Sequence, residues 1–92
     1  MIILTIERWK HITDRHPDLT DSRGQVIGAI ANPDESYIDA DGLTHALKRV
    51  DDRYLVVIYS KTATDELIRT AYYTSLKRKR RRYRKFTRLK PS

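Results

Sequence analysis

The sequence predicts an α+β fold in which two N-terminal helices pack on a four-stranded antiparallel sheet, followed by a basic C-terminal tail. Three observations predict it. Apolar residues recur at helical spacing between residues 6 and 31, extended patterning with short turn-rich connections fills residues 36–75, and lysine and arginine crowd the chain after residue 76. Ninety-two residues, 39% of them hydrophobic, suffice for one compact domain with a small core. That domain is expected over residues 1–76, with residues 77–92 as the tail.

The first helix is expected over residues 6–16, where Ile6, Trp9 and Ile12 fall on one face at three-residue steps. Thr5 is its N-cap and Glu7 lies in its first turn. Pro17 disfavours helical geometry at His16, so the helix ends there and the chain turns through residues 17–20. Asp21 or Ser22 then caps a second helix over residues 23–31, with Val26, Ile27 and Ile30 as its apolar stripe, and Asn32-Pro33-Asp34 stops it. Strands are expected over residues 36–40, 43–50, 54–60 and 66–75. Asp41-Gly42 and Asp51-Asp52 fit tight hairpin turns, and residues 61–65 form a longer polar connection. Residues 54–59, Tyr-Leu-Val-Val-Ile-Tyr, are apolar or aromatic throughout and predict a central strand covered on both sides. The tail is biased enough to be disordered alone. Yet Leu76, Tyr83, Phe86 and Leu89 fall at intervals that dock one side of a helix, and both states stay open.

The net charge of +7 conceals two parts of opposite sign. Residues 1–76 hold nine Lys and Arg against all twelve Asp and Glu, a net of −3, whereas residues 77–92 hold ten Lys and Arg and no acid. Such a block attracts polyphosphates and marks a polyanion partner without specifying a reaction. Lys77, Arg78, Lys79, Arg80, Arg81, Arg82, Tyr83, Arg84 and Lys85 together form the expected RNA-binding segment, basic with interleaved aromatics. With no cysteine, disulfides and thiolate metal cages are excluded. The apolar start meets Glu7 and Arg8 too soon for a signal-peptide core, and no later apolar run approaches membrane-spanning length. A soluble, cytoplasmic protein with no membrane partner is expected.

Chemistry is concentrated in two places. Residues 11–17, His-Ile-Thr-Asp-Arg-His-Pro, put two imidazoles and a guanidinium within two turns of one helix. His11 and Arg15 share a face. His16, at the helix C-terminus, is placed to hold a proton through the macrodipole and act as a general acid, and Arg15 suits bidentate phosphate contact. A solvated polar face explains this spacing about as well. On the last strand, alternation sends Ile68, Thr70, Tyr72 and Thr74 one way and Leu67, Arg69, Ala71 and Tyr73 the other. Hydroxyls there can orient a phosphate and a tyrosine can stack on a base, although ordinary cross-strand packing accounts for the same residues. RNA cleavage without a metal needs a base for the 2′-hydroxyl, an acid for the leaving 5′-oxygen and cations for the phosphate. His11 and His16 lack the i, i+4 step of helical zinc pairs, and His45 on a strand is the only other imidazole, so no metal or cofactor is expected.

With these residues in place, the chain resembles the small bacterial and phage ribonuclease toxins grouped with barnase, the EndoU-type endoribonucleases, the tRNase colicins and the RelE toxins, the BECR fold, and within them the EndoU-like, phage-associated group. The resemblance rests on the order of His11-x3-Arg15-His16-Pro17, Ala31-Asn32-Pro33-Asp34, the hydrophobic strand at residues 54–59 and Thr70-x-Tyr72. It implies metal-independent transesterification that leaves a 2′,3′-cyclic phosphate, with tRNA or mRNA as substrate and an acidic antitoxin as partner. It also implies His11 and His16 as the acid–base pair, Arg15 and Thr70 on the phosphate, and Tyr72 on base or phosphate. EndoU-type sites add a lysine, for which Lys48 and Lys61 are the candidates. The alternatives are a non-catalytic RNA-binding accessory protein or antitoxin, motivated by the tail alone, and a protein-interaction domain with an acidic partner.

Overall fold

The computed structural model describes residues 1–90. Strand β1 is only Ile2–Ile3, lying parallel to the chain at Glu66 and Leu67. Helix α1, Ile6–Arg15, opens where the Thr5 hydroxyl accepts the Arg8 N–H at 3.1 Å, as its cap position demands. It buries Ile12 completely and Trp9 in part, while Ile6, in the first turn, is 88% exposed and contributes nothing to the stripe. The helix stops at Arg15 because Pro17 holds His16 in a non-helical conformation, φ −128° and ψ 74°. A 3-10 turn, Pro17–Leu19, then drops Leu19 into the core. Helix α2, Arg23–Ala31, begins after Ser22, which occupies the cap position without a side-chain hydrogen bond, so the capping expected of Asp21 or Ser22 is not made. Its hold on the sheet comes from Val26, Ala29 and Ile30.

Four strands follow: β2 (Glu35–Ile38), β3 (Thr44–Val50), β4 (Arg53–Lys61) and β5 (Glu66–Ser75). The β2–β3 turn is organised by the Asp39 carboxylate, which accepts the Asp41 and Leu43 N–H groups at 2.9 and 3.0 Å around Gly42 at φ 81°. That left-handed position is where a residue without a Cβ fits. The chain then continues as helix α3, Leu76–Tyr83, and strand β6, Thr87–Lys90.

These last elements correct the expected architecture. The sheet has six strands in the order β1-β5-β4-β3-β2-β6, it is mixed because β1 runs parallel to β5, and a third helix lies at the C-terminal end. Two residues of β1 are too few to show a period, and β6 is exposed at every position, so neither strand has an alternating pattern. Both form because an existing edge, β5 or β2, offers unpaired backbone groups to pair with.

Strand β4 lies inside the sheet with Leu55 to Tyr59 all buried, since both its faces are covered. Leu55, Val57 and Tyr59 join Ile12, Leu19, Val26 and Ala71 under α1 and α2. Val56 and Ile58 face the other way and join Leu47, Tyr37 and Tyr83 under α3. The tail is thus half of a second core, with Tyr83 only 4% exposed. A bulge also corrects the alternation expected on β5. Ile58 pairs with Thr70 but Tyr59 with Ile68, so Arg69 is an extra residue, and Ile68 turns to the α1–α2 core while Thr70, Tyr72 and Thr74 keep the α3 face. Among the described residues no helix is long and apolar enough to cross a membrane.

Candidate functional site

The site forms where the end of α1 meets the open flank of β5. Beyond Leu67 that strand has no neighbour on its outer side among the described residues, so the end of α1 reaches its edge unobstructed. The His16 ring centroid lies 5.9 Å from that of Tyr72, at an interplanar angle of 35°. Arg82 of α3 approaches the same tyrosine, its Cζ 5.8 Å from the ring centroid, within reach of a cation–π contact. The Tyr72 hydroxyl is buried, with no well-formed hydrogen bond among the described residues, and it acts on the Tyr83 hydroxyl, helping to raise that phenol. A cleft of about 270 Å³ opens there, lined by Tyr72, Tyr73, Thr74, Arg78, Arg81 and Arg82. Three guanidiniums around aromatic and hydroxyl groups can bind phosphate and bases together.

The structure gathers only part of the set expected from sequence. His16 and Tyr72 come together, with Thr70 half-buried one pleat away on the same face. His11 is exposed and lines a separate cleft with Thr5, Glu7 and Arg8. Five residues along a helix are about 140° apart in rotation, so His11 and His16 leave α1 in different directions. Arg15 is exposed, and four residues from His11 it shares that side of the helix rather than the cleft. Neither lysine expected at the site is there: Lys48 is held by the Asn32 carbonyl and the Asp34 carboxylate at 3.1 and 3.4 Å, and Lys61 is exposed at the end of β4. Within the basic segment, Lys77, Arg78, Arg80, Arg81, Arg82, Arg84 and Lys85 are exposed, but Lys79 and Tyr83 face inward.

Two buried polar networks anchor α3 behind this cleft. In the first, Glu35 accepts hydrogen bonds from the Tyr37 and Tyr54 hydroxyls, both at 2.6 Å, and pairs with Lys79 at 2.5 Å. Burial pushes the Glu35 carboxyl up, but the hydrogen bonds from Lys79, Tyr37 and Tyr54 outweigh it and hold the group at about 2. Tyr37 is correspondingly pushed up to about 12, by burial and then by Glu35. In the second network, His45 is 1% exposed and uses both ring nitrogens, Nε2 with Asp39 Oδ2 and Nδ1 with the Tyr83 hydroxyl, each at 2.8 Å. Burial lowers the imidazole despite the Asp39 hydrogen bond, favouring the neutral ring. In that form Nε2–H donates to Asp39 and Nδ1 accepts from Tyr83. Tyr83 is raised by burial and then by Tyr72, so the network ends at the candidate cleft.

None of these partners was visible as a group in the sequence. Tyr83 lies 38 positions from His45, and Lys79 lies beyond three intervening strands from Glu35. The available signal was a histidine and a glutamate inside strand segments, positions where an ionisable residue requires a partner. Among the described residues, no three His, Asp or Glu side chains converge as a metal-holding group. The chain matches no family model, no curated protein and no solved structure.

Proposed function

We propose that this protein is an endoribonuclease of the toxin type, acting in the cytoplasm without a metal ion and held in check by an acidic antitoxin. The observation that carries the reading is the Tyr72 ring beside His16, centroids 5.9 Å apart, with Arg82 over the same ring at the edge of an arginine-lined cleft. The 2′-oxygen of the substrate ribose attacks the adjacent phosphorus, forming a 2′,3′-cyclic phosphate as the bond to the 5′-oxygen breaks. His16 takes the 2′-hydroxyl proton and returns one to the departing 5′-oxygen, an exchange that an imidazole with two ring nitrogens can carry. Tyr72 offers its ring to the base beside that phosphate. Arg82, with Arg78 and Arg81, offsets the charge that develops there. His11, in its separate cleft, has no part in this scheme, and the exposed cations of α3 hold the flanking RNA backbone.

Purified wild type and the variants His16→Ala and His11→Ala would be incubated with total RNA in EDTA, and the fragment ends analysed. Wild type and His11→Ala are expected to give 2′,3′-cyclic phosphate ends, with His16→Ala slower by about 100-fold or more. Absence of cleavage by wild type, or undiminished cleavage by His16→Ala, rejects the reading. RNA retention without cleavage would instead identify the binding module that the basic helix alone supports. The toxin assignment predicts growth arrest on expression, relieved by an acidic protein encoded beside it.

A further inference from the structure

Behind the Tyr72 cleft, around the end of β5, lies a second one of about 420 Å³ that shares Tyr73, Thr74 and Arg78 with the first. Tyr73 and Tyr72 point to opposite faces of the strand, so the two clefts are joined over its end. Above Tyr73, the Arg53 guanidinium carbon stands 3.7 Å from the ring centroid, in close cation–π contact. One face of the guanidinium rests on the ring, and Arg53 is an exposed residue, which leaves the other face toward solvent. A guanidinium plane is one of the surfaces on which unstacked RNA bases settle. The rim also carries Asp18 and Asp52, neither of them in an ion pair among the described residues.

Those carboxylates repel phosphate, so this cleft differs in kind from its arginine-lined neighbour. They accept hydrogen bonds and offer none, which suits the exocyclic amino group of a base. Resting on the ribonuclease reading, we propose that this cleft seats the base of a nucleotide flanking the scissile phosphate, stacked on Arg53 and preferring amino-bearing bases over uracil. Uracil presents one N–H between two carbonyls, and those oxygens would face the carboxylates. The backbone then passes over Thr74 and Arg78 into the Tyr72 cleft.

Binding is measured on the full chain carrying His16→Ala, so that RNA stays intact, with labelled single-stranded hexamers of adenylate, cytidylate and uridylate. The adenylate and cytidylate hexamers should bind about fivefold or more tighter than the uridylate hexamer, and Asp52→Asn should narrow that gap. Arg53→Ala should weaken all three by about fivefold or more. Arg53→Lys, which keeps the charge and loses the plane, should recover little of it. Equal affinity for the three hexamers, no loss in Arg53→Ala, full recovery in Arg53→Lys, or no binding at all overturns the inference. Because no cleavage is read, a base preference without any nuclease activity in wild type would sink the catalytic reading and leave this site standing.

Discussion

At the scale of single residues, the Tyr72 hydroxyl bears on stability and the Tyr72 ring on function. The hydroxyl is buried with no well-formed hydrogen bond among the described residues, so Tyr72→Phe should leave stability unchanged or raise it by about 1 kcal/mol. The same variant keeps the ring and should cleave RNA near the wild-type rate, whereas Tyr72→Ala should slow cleavage, and denaturant melts beside a cleavage assay would show both effects. Glu35 shows the opposite balance. Glu35→Ala strands Lys79 and two tyrosine hydroxyls in a partly buried site and should cost about 3 kcal/mol in urea unfolding. Its carboxyl is near 2 in the fold against 4.5 ordinarily, so its contribution is complete above about pH 4.5 and disappears as pH falls toward 2. Up to about 3 kcal/mol is lost over that window. For His45 the protonated form is the one the fold disfavours. Stability should therefore fall as pH drops below 6.5, where the unfolded ring takes a proton and the folded one does not, and His45→Gln should flatten that part of a melting-temperature profile.

At the scale of elements, α3 decides how the C-terminal segment is understood. Its outward side is a row of cations, and its inward side places Tyr83 against Tyr37, ring centroids 4.7 Å apart, and against His45. Removing residues 76–92 would strip the cover from Leu47, Val56 and Ile58 as well as the charge. Such a truncation is expected to aggregate or unfold at 25 °C rather than yield a folded domain lacking RNA affinity, as thermal melts and light scattering would reveal. Tyr83→Ala should cost about 4 kcal/mol by the same loss of packing. Substituting the exposed Arg80 and Arg84 by glutamate is the cleaner probe of binding. It reverses charge on the solvent side and should leave the melting temperature within a few degrees of wild type.

At the scale of the whole molecule, charge is divided by position: an acidic body, −3 over residues 1–76, carries the cationic segment as a covering layer on one face of its sheet. RNA affinity should therefore depend steeply on salt. If about five phosphates are neutralised, log affinity against log salt concentration should have a slope of about −3.5 for a single strand, and the Arg80/Arg84 reversal should make it shallower. A slope near zero in wild type would mean that the polycation does not meet the backbone.

Much of this architecture was legible from local pattern. Proline and capping chemistry stop α1 at Arg15, and continuous apolar character makes residues 54–59 the covered strand, because the causes lie within a few residues of their effects. His16 and Tyr72 were each legible as chemical residues, but their proximity depends on a helix end crossing an open sheet flank. The bulge at Arg69, the strands β1 and β6, and the burial of Lys79 and Tyr83 were not legible. By itself the sequence determined the α and β segments and the split of charge, which are properties of near neighbours along the chain. Only the tertiary structure decided that the basic segment closes a second core and that one histidine, not two, reaches the tyrosine, because both depend on backbone edges and side chains many residues apart.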